Sequence, residues 1–194
     1  MAFILGILVT NVVPAGAEEH ADVLLQAGHE GRPASCARFP RRPCNLGAPG
    51  ERQMTPLVAD EAARRLRAAG LVVARVPADF TQHYRVRAAV FIHFDGAYPP
   101  CTSGASIGYP PGSAAAARAW RAFYGRYFPF RIMPDNFTAG LRHYYGYRSV
   151  DPNSNTLVIE FGEITCPAQR AWLVPRAREL GDLLARFILL RLHG

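Results

Sequence analysis

Two histidines and two glutamates in this chain have the right types for metal-assisted hydrolysis: His29, Glu51, His93 and Glu160. Two imidazoles and one carboxylate are a normal ligand set for a catalytic zinc whose fourth position stays open to water. A second carboxylate, left off the metal, is what such a site needs to take up and return a proton. Local zinc motifs are excluded by spacing. Pro33 occupies the place where a His-Glu-x-x-His helix starting at His29 would need its second histidine, and Arg32 occupies the glutamate position of a His-x-x-Glu pair. No Gly-x-Ser-x-Gly elbow is present for a serine hydrolase. The four candidates lie far apart in sequence, so only a fold that gathers strand ends can assemble them.

The elements suit that task. Val23 to Leu25 is a short apolar run that reads as a buried strand, and Gly28-His29-Glu30-Gly31 follows it. Glycines there permit a sharp exit and close backbone approach. In open α/β sheets ligands bind at the carboxyl ends of strands. A long loop from Gly28 to about Gln53 carries Glu51. A helix is expected next, capped by Thr55, with Pro56 in its first turn, an apolar stripe of Leu57, Val58, Ala62, Leu66 and Ala69, and a stop at Gly70. Leu71–Val76 and Ala88–Phe94 read as further buried strands, the latter ending in His93-Phe94-Asp95. Ser113 is expected to cap an alanine-rich helix to about Tyr127. Residues 128–155 read as irregular, with one short helix near Thr138 to Tyr145. Thr156–Phe161 is a last strand carrying Glu160. From Pro167 the chain reads as helical, interrupted near Pro175, with Leu180, Leu183, Leu184, Phe187 and Leu190 facing inward. Strands alternating with helices imply a single α/β domain, with a mixed, mostly parallel sheet flanked by helices.

Composition narrows the setting. The net charge is +7 over 194 residues, and every basic residue is an arginine. Such a balance favours an acidic partner. The arginines are scattered rather than interleaved with aromatics along a groove, which argues against nucleic acid. Residues 2–13 are nearly all apolar and Pro14-Ala15-Gly16-Ala17 follows, so residues 1–17 read as a signal peptide cleaved after Ala17, leaving an 18–194 domain. The run is too short to span a bilayer. Four cysteines without a Cys-x-x-Cys pair suit an exported protein with disulfides. Pairing Cys36 with Cys44 and Cys101 with Cys166 is the expected arrangement among three combinations.

Taken in order, these motifs resemble the zinc-dependent N-acetylmuramoyl-L-alanine amidases of the Amidase_3 family. Gly28-His29-Glu30-Gly31 resembles the Gly-His-Gly-Gly-like end of that family's first strand. Glu51, followed by Leu57, Ala59, Leu66 and Gly70, resembles the glutamate and first helix. Phe91-Ile92-His93-Phe94-Asp95 resembles the strand that supplies the second histidine. Leu157-Val158-Ile159-Glu160-Phe161-Gly162 resembles the late strand that carries the catalytic glutamate. The resemblance runs from residue 22 to the C-terminus. It implies an Amidase_3-like fold, a Zn2+ cofactor held by His29, Glu51 and His93, and Glu160 as general base. It further implies an exported enzyme, acting as a monomer on peptidoglycan or muropeptides, that cleaves the amide between N-acetylmuramic acid and L-alanine.

Three departures accompany it. Gln26-Ala27 stands where the family has Asp-Pro, Asp79 to Arg87 leaves little room for a helix, and Glu163 replaces a phenylalanine. Two other readings therefore stand beside it: a non-catalytic wall-binding or regulatory domain, and a zinc hydrolase of another peptide amide. Asp95, Glu30 and Glu163 are expected to be solvated carboxylates, and His143 a half-buried member of an aromatic cluster. His20, His83 and His193 are expected at the surface, and most tyrosines as packing.

Overall fold

The computed structural model describes residues 18–36 and 44–193; the signal-peptide reading of residues 1–17 lies outside the described residues. The chain order is β1 (Glu19–His20), β2 (Val23–Ala27), α1 (Glu51–Ala68), β3 (Val73–Val76), β4 (Tyr84–Arg85), β5 (Ala88–Asp95), β6 (Ser106–Gly108), α2 (Ala114–Tyr124), α3 (Ala139–Arg142), β7 (Thr156–Glu163), α4 (Pro167–Leu173) and α5 (Ala177–His193). Short 3-10 turns cover Tyr145–Ser149 and Val174–Arg176.

Five strands form one sheet in the order β3-β2-β5-β7-β6. All neighbours are parallel except β6, which runs antiparallel along the β7 edge. β1 and β4 form a separate two-stranded parallel ribbon. The expected architecture is therefore present. The unanticipated elements are short: β6 lies within a segment rich in Pro and Gly, and two residues each of β1 and β4 give too little pattern to read.

The period-two alternation of strand side chains sorts the sheet into two faces. Val23, Leu25, Val90, Ile92, Phe94, Leu157, Ile159 and Phe161 point to one face. There they pack with Val58 and Leu66 of α1, Trp120 and Tyr124 of α2, and Leu180, Leu184 and Phe187 of α5. Leu24, Ala89, Phe91 and Val158 point to the other, where Leu141, Tyr144, Tyr147 and Val150 cover them. The second face is thus roofed by α3 and the turn after it rather than by a long helix. Gln26, His93 and Glu160 share the parity of this second face.

Several boundaries differ from the sequence reading. α1 begins at Glu51, one turn before Thr55, because Glu51 organises its own entry: its Oε2 accepts a 2.8 Å hydrogen bond from Ala48 N. Thr55 lies inside the helix, with its hydroxyl donating to Gly28 O at 2.6 Å, and Pro56 sits in the second turn. Leu57 and Ala69 fall outside the apolar stripe and are exposed, with Met54 and Ala59 buried instead. Ser113 does precede α2, but its hydroxyl donates to Asn153 O and accepts from Thr156 N rather than capping the helix. Leu190 is exposed because it falls on the outer side of α5. Both expected disulfides, Cys36–Cys44 and Cys101–Cys166, are formed.

Candidate metal centre

His29, Glu51 and His93 converge. One ring nitrogen of each histidine and one carboxylate oxygen of Glu51 lie within 4.8 Å of one another. His93 Nδ1 is 2.9 Å and His29 Nε2 3.3 Å from the same oxygen, Glu51 Oε1. The two rings stand edge to face with centroids 4.9 Å apart.

Each side chain is brought there by a local device. His29 follows β2 in a left-handed conformation, φ 61°, which turns it out of the strand direction. The residue before it must be glycine, because a Cβ at position 28 would fall on the His93 imidazole. Gly47 is required on the opposite side: its φ is 69°, and a Cβ there would overlap the Glu51 carboxylate and the His29 ring. Glu51 is the first residue of α1, and the Ala48 and Phe94 backbone N–H groups pin its carboxylate at 2.8 and 3.2 Å. His93 comes from the end of β5 and is 7% exposed.

The electrostatics follow from burial. Burial alone would raise the Glu51 carboxyl, but hydrogen bonds and charge from His29 and His93 overcome it and hold the group down to about 2. Burial pushes the His93 imidazole below its ordinary range, against the opposing pull of Glu51. Both effects favour an ionised carboxylate facing a neutral ring, the protonation states that a metal ion requires of its ligands.

Glu160 lies beside His93 in the β5–β7 register, on a strand roughly 4.8 Å away. Its Oε2 is buried and has no hydrogen-bond partner among the described residues. Desolvation, followed by the charges of Glu51 and Asp95, raises its carboxyl well above the usual range. A buried carboxyl oxygen without a partner is costly unless something else binds there. Among the described residues no arginine pairs with it, so the simple reading of Glu160 as a strand-end carboxylate in an ion pair finds no support there.

The four residues line one cavity of about 740 Å3 that also reaches Arg32, Tyr144 and Arg148. That is ample for a peptide-sized ligand. The donor set fits zinc: two imidazole nitrogens and a carboxylate, with a free carboxyl next to them.

Residues not read as functional in the sequence complete the centre. Arg32 donates to Asp79 and to Asn45 O, and its Nη1 lies 3.2 Å from His29 Nδ1. His29 Nδ1 in turn lies 3.1 Å from Asn45 O. Tyr144 contacts His93 Nε2 at 2.9 Å and Gln26 at 2.6 Å. Only the departure at Gln26 signalled any of this beforehand.

Of the three carboxylates expected to be solvated, one is buried and two are half-buried with partners. Glu163 is fully buried and accepts from Cys101 N, Ser103 N and the Thr165 hydroxyl. Asp95 accepts from Ser103 Oγ and Gly96 N. Glu30 pairs with Arg75. His143 is exposed on the cavity rim rather than half-buried, because its segment roofs the sheet instead of entering it.

No protein-family model and no curated protein matches the sequence. Solved structures do. The N-acetylmuramoyl-L-alanine amidase AmiC2 of Nostoc punctiforme is 17% identical, with a TM-score of 0.62 over 92% of this chain and 99% of that one. The catalytic domain of the amidase CwlV from Bacillus (Paenibacillus) polymyxa var. colistinus is 14% identical, with a TM-score of 0.61 over 90% and 98%. The catalytic domain of the CD27L endolysin targeting Clostridia Difficile is 14% identical, with a TM-score of 0.60 over 88% and 97%. The chain thus has the single-domain α/β fold of these amidase catalytic domains.

Proposed function

We propose that the protein is a zinc-dependent N-acetylmuramoyl-L-alanine amidase that cleaves the amide between N-acetylmuramic acid and L-alanine in peptidoglycan. The observation that carries this reading is the convergence of His29 Nε2, His93 Nδ1 and Glu51 Oε1 in one cavity with the unpartnered Glu160 Oε2. The shared fold with amidase catalytic domains supports it.

His29, Glu51 and His93 would hold the metal. Zinc bound there supplies Lewis acidity to the scissile carbonyl and to the attacking water. Glu51 arrives ionised and pinned by two backbone donors, so binding needs little rearrangement. Glu160 takes the proton of the attacking water at Oε2 and returns it to the leaving amine. Its burial beside other carboxylates makes that proton transfer favourable once the group is ionised. The cavity walls position the stem peptide and exclude bulk water from the reacting carbonyl.

The setting agrees with this chemistry. Two disulfides suit an oxidising compartment, and the positive net charge suits an anionic wall, so we read the protein as exported. Among the described residues no helix is long and apolar enough to cross a membrane.

The test is mass spectrometry of products released from purified peptidoglycan and from soluble muropeptides, with and without a chelator. Stem peptides beginning at L-alanine, lost on chelation and restored by zinc, are the expected result. Binding to the wall with no product from either substrate would overturn the catalytic reading in favour of a wall-binding domain.

A further inference from the structure

We propose that Gln26 is a positioning residue of the metal centre: acting through Tyr144, it sets the tautomer of His93 and leaves Nδ1 free to ligate. The proposal rests on the metal-centre reading above and goes beyond it, because it assigns a task to the residue at which this chain departs most visibly from the pattern it resembles.

The donors and acceptors around Gln26 form a chain with one solution. Gln26 is fully buried on β2. Its Nε2 lies 2.9 Å from Ala78 O, a carbonyl that can only accept. That settles which end of the amide is nitrogen. The same nitrogen lies 2.8 Å from the Tyr145 hydroxyl, whose own proton goes to Ala78 O at 2.6 Å. Gln26 Oε1 therefore faces the Tyr144 hydroxyl, 2.6 Å away, and can only accept from it. A phenol has one proton, and Tyr144 spends it on Gln26. Toward His93 Nε2, at 2.9 Å, the Tyr144 oxygen can then only accept. The Nε2 position of His93 must carry a hydrogen.

A neutral imidazole has one N–H, so Nδ1 keeps its lone pair. That lone pair points at Glu51 Oε1, an acceptor as well, 2.9 Å away. Two acceptors facing each other at this distance call for a cation between them, either a proton that charges the ring or a metal ion. The relay therefore fixes a polarity that suits metal binding: Nε2 keeps its hydrogen, and Nδ1 is the nitrogen that gives up its proton to ligate. Partners behind a ligating histidine usually act in this way, and their loss typically lowers metal affinity about 10–100-fold.

The position of Gln26 explains why it can do this. It shares the sheet face of His93 and is one strand away, and its neighbour in the register is Phe91. Tyr144 comes down onto that face from the segment after α3 and packs against both Phe91 and His93. A shorter side chain at position 26 would not span from Ala78 O to the Tyr144 hydroxyl while keeping both bonds.

The test reads the tautomer directly. The metal-free full chain, labelled with 15N-histidine, is examined by long-range 1H–15N NMR correlation, with His93 assigned from the signal lost in His93→Asn. The expected wild-type spectrum, at a pH where the ring is neutral, shows Nε2–H and an unprotonated Nδ1. In Gln26→Met the Tyr144 hydroxyl is released to donate to Nε2, so the proton moves to Nδ1. Zinc affinity, measured by competition with a chromophoric chelator, then falls about 10–100-fold. Tyr144→Phe also weakens zinc, and the double variant is no weaker than the worse single one, because both act along one route. Gln26→Glu, which keeps an acceptor for Tyr144, keeps the wild-type tautomer. A neutral wild-type His93 protonated at Nδ1 and bare at Nε2 overturns the proposal. So does a Gln26→Met or Tyr144→Phe variant that folds, keeps Nε2–H and binds zinc as tightly as wild type. A drop in thermal stability with an unmoved tautomer would reduce Gln26 to a structural role and would overturn it as well. Failure of the metal reading is separable: a wild-type chain that binds no zinc sinks the metal centre, whatever the NMR shows.

Discussion

Glu160 stands directly beside His93 in the parallel pairing of β5 with β7, and both side chains project from the same sheet face. One is tied on both ring nitrogens, to Glu51 and Tyr144, while the other has a buried oxygen with no partner. The contrast is what the proposed roles of ligand and base require of two neighbours.

Glu160→Gln therefore tests the division of labour. The amide keeps shape and volume but cannot accept a proton. Zinc should stay bound with near wild-type stoichiometry, and turnover of muropeptide should fall by about 10²–10⁴. Elemental analysis of the purified variant beside a product assay checks both halves, and full activity would remove Glu160 from the mechanism.

Gly28→Ala should damage the centre without touching a ligand. The added methyl would fall on the His93 ring, so the imidazole must shift away from Glu51. Zinc affinity should drop while the far-UV spectrum stays that of the folded chain. Unaltered zinc binding would mean that the ring has more room than the backbone geometry allows.

Glu163 holds the loop that follows β5. It satisfies Cys101 N at 2.6 Å and Ser103 N at 2.7 Å, next to the Cys101–Cys166 bridge. Glu163→Ala leaves both donors without partners at about 1–3 kcal/mol each. A fall in the denaturation midpoint larger than that of Glu30→Ala is expected, because Glu30 is partly exposed and its loss strands no backbone donor.

The disulfides should contribute unequally. Chain-entropy reasoning gives about 4 kcal/mol for the bridge of sequence separation 65 and about 2.5 kcal/mol for the one of separation 8. Denaturant titration of the Cys101→Ala/Cys166→Ala and Cys36→Ala/Cys44→Ala variants should show the larger loss for the first pair. Equal losses would contradict the entropic account.

Acid should unfold the chain partly through Glu61. Hydrogen bonds from Arg64 are the main cause that holds its carboxyl down to about 2; burial opposes them and Arg65 assists. The folded value lies below the ordinary one of 4.5, so the unfolded chain binds the proton more readily. The stabilisation is complete above pH 4.5 and is lost as pH falls toward 2. Glu61→Gln should lower stability at neutral pH and flatten its decline across that window, as chemical denaturation at several pH values would show.

Much of this was legible in the sequence because strands and ligands obey short-range rules. The apolar runs at Val23–Leu25, Ala88–Phe94 and Thr156–Phe161 announce buried strands by hydrophobicity alone, and the residues that follow them must lie at strand ends. His29, His93 and Glu160 could therefore be placed on one rim. The even cysteine count likewise suited two bridges.

What sequence alone could not decide depended on contacts across long separations. Glu163 looks like a surface carboxylate until the loop from Cys101 to Ser103 turns its N–H groups toward it. Tyr144 and Tyr145 look like packing residues until they reach Gln26, more than a hundred positions away. Hydrogen-bond direction is a property of a closed network of donors and acceptors, and no run of residues encodes it locally. The sequence by itself determined that His29, His93 and Glu160 lie at or near strand ends, and it determined the chemistry of their side chains. Tertiary structure decided which oxygen, which ring nitrogen and which neighbour each one meets, because only the packed sheet and its roof bring those atoms within bonding distance.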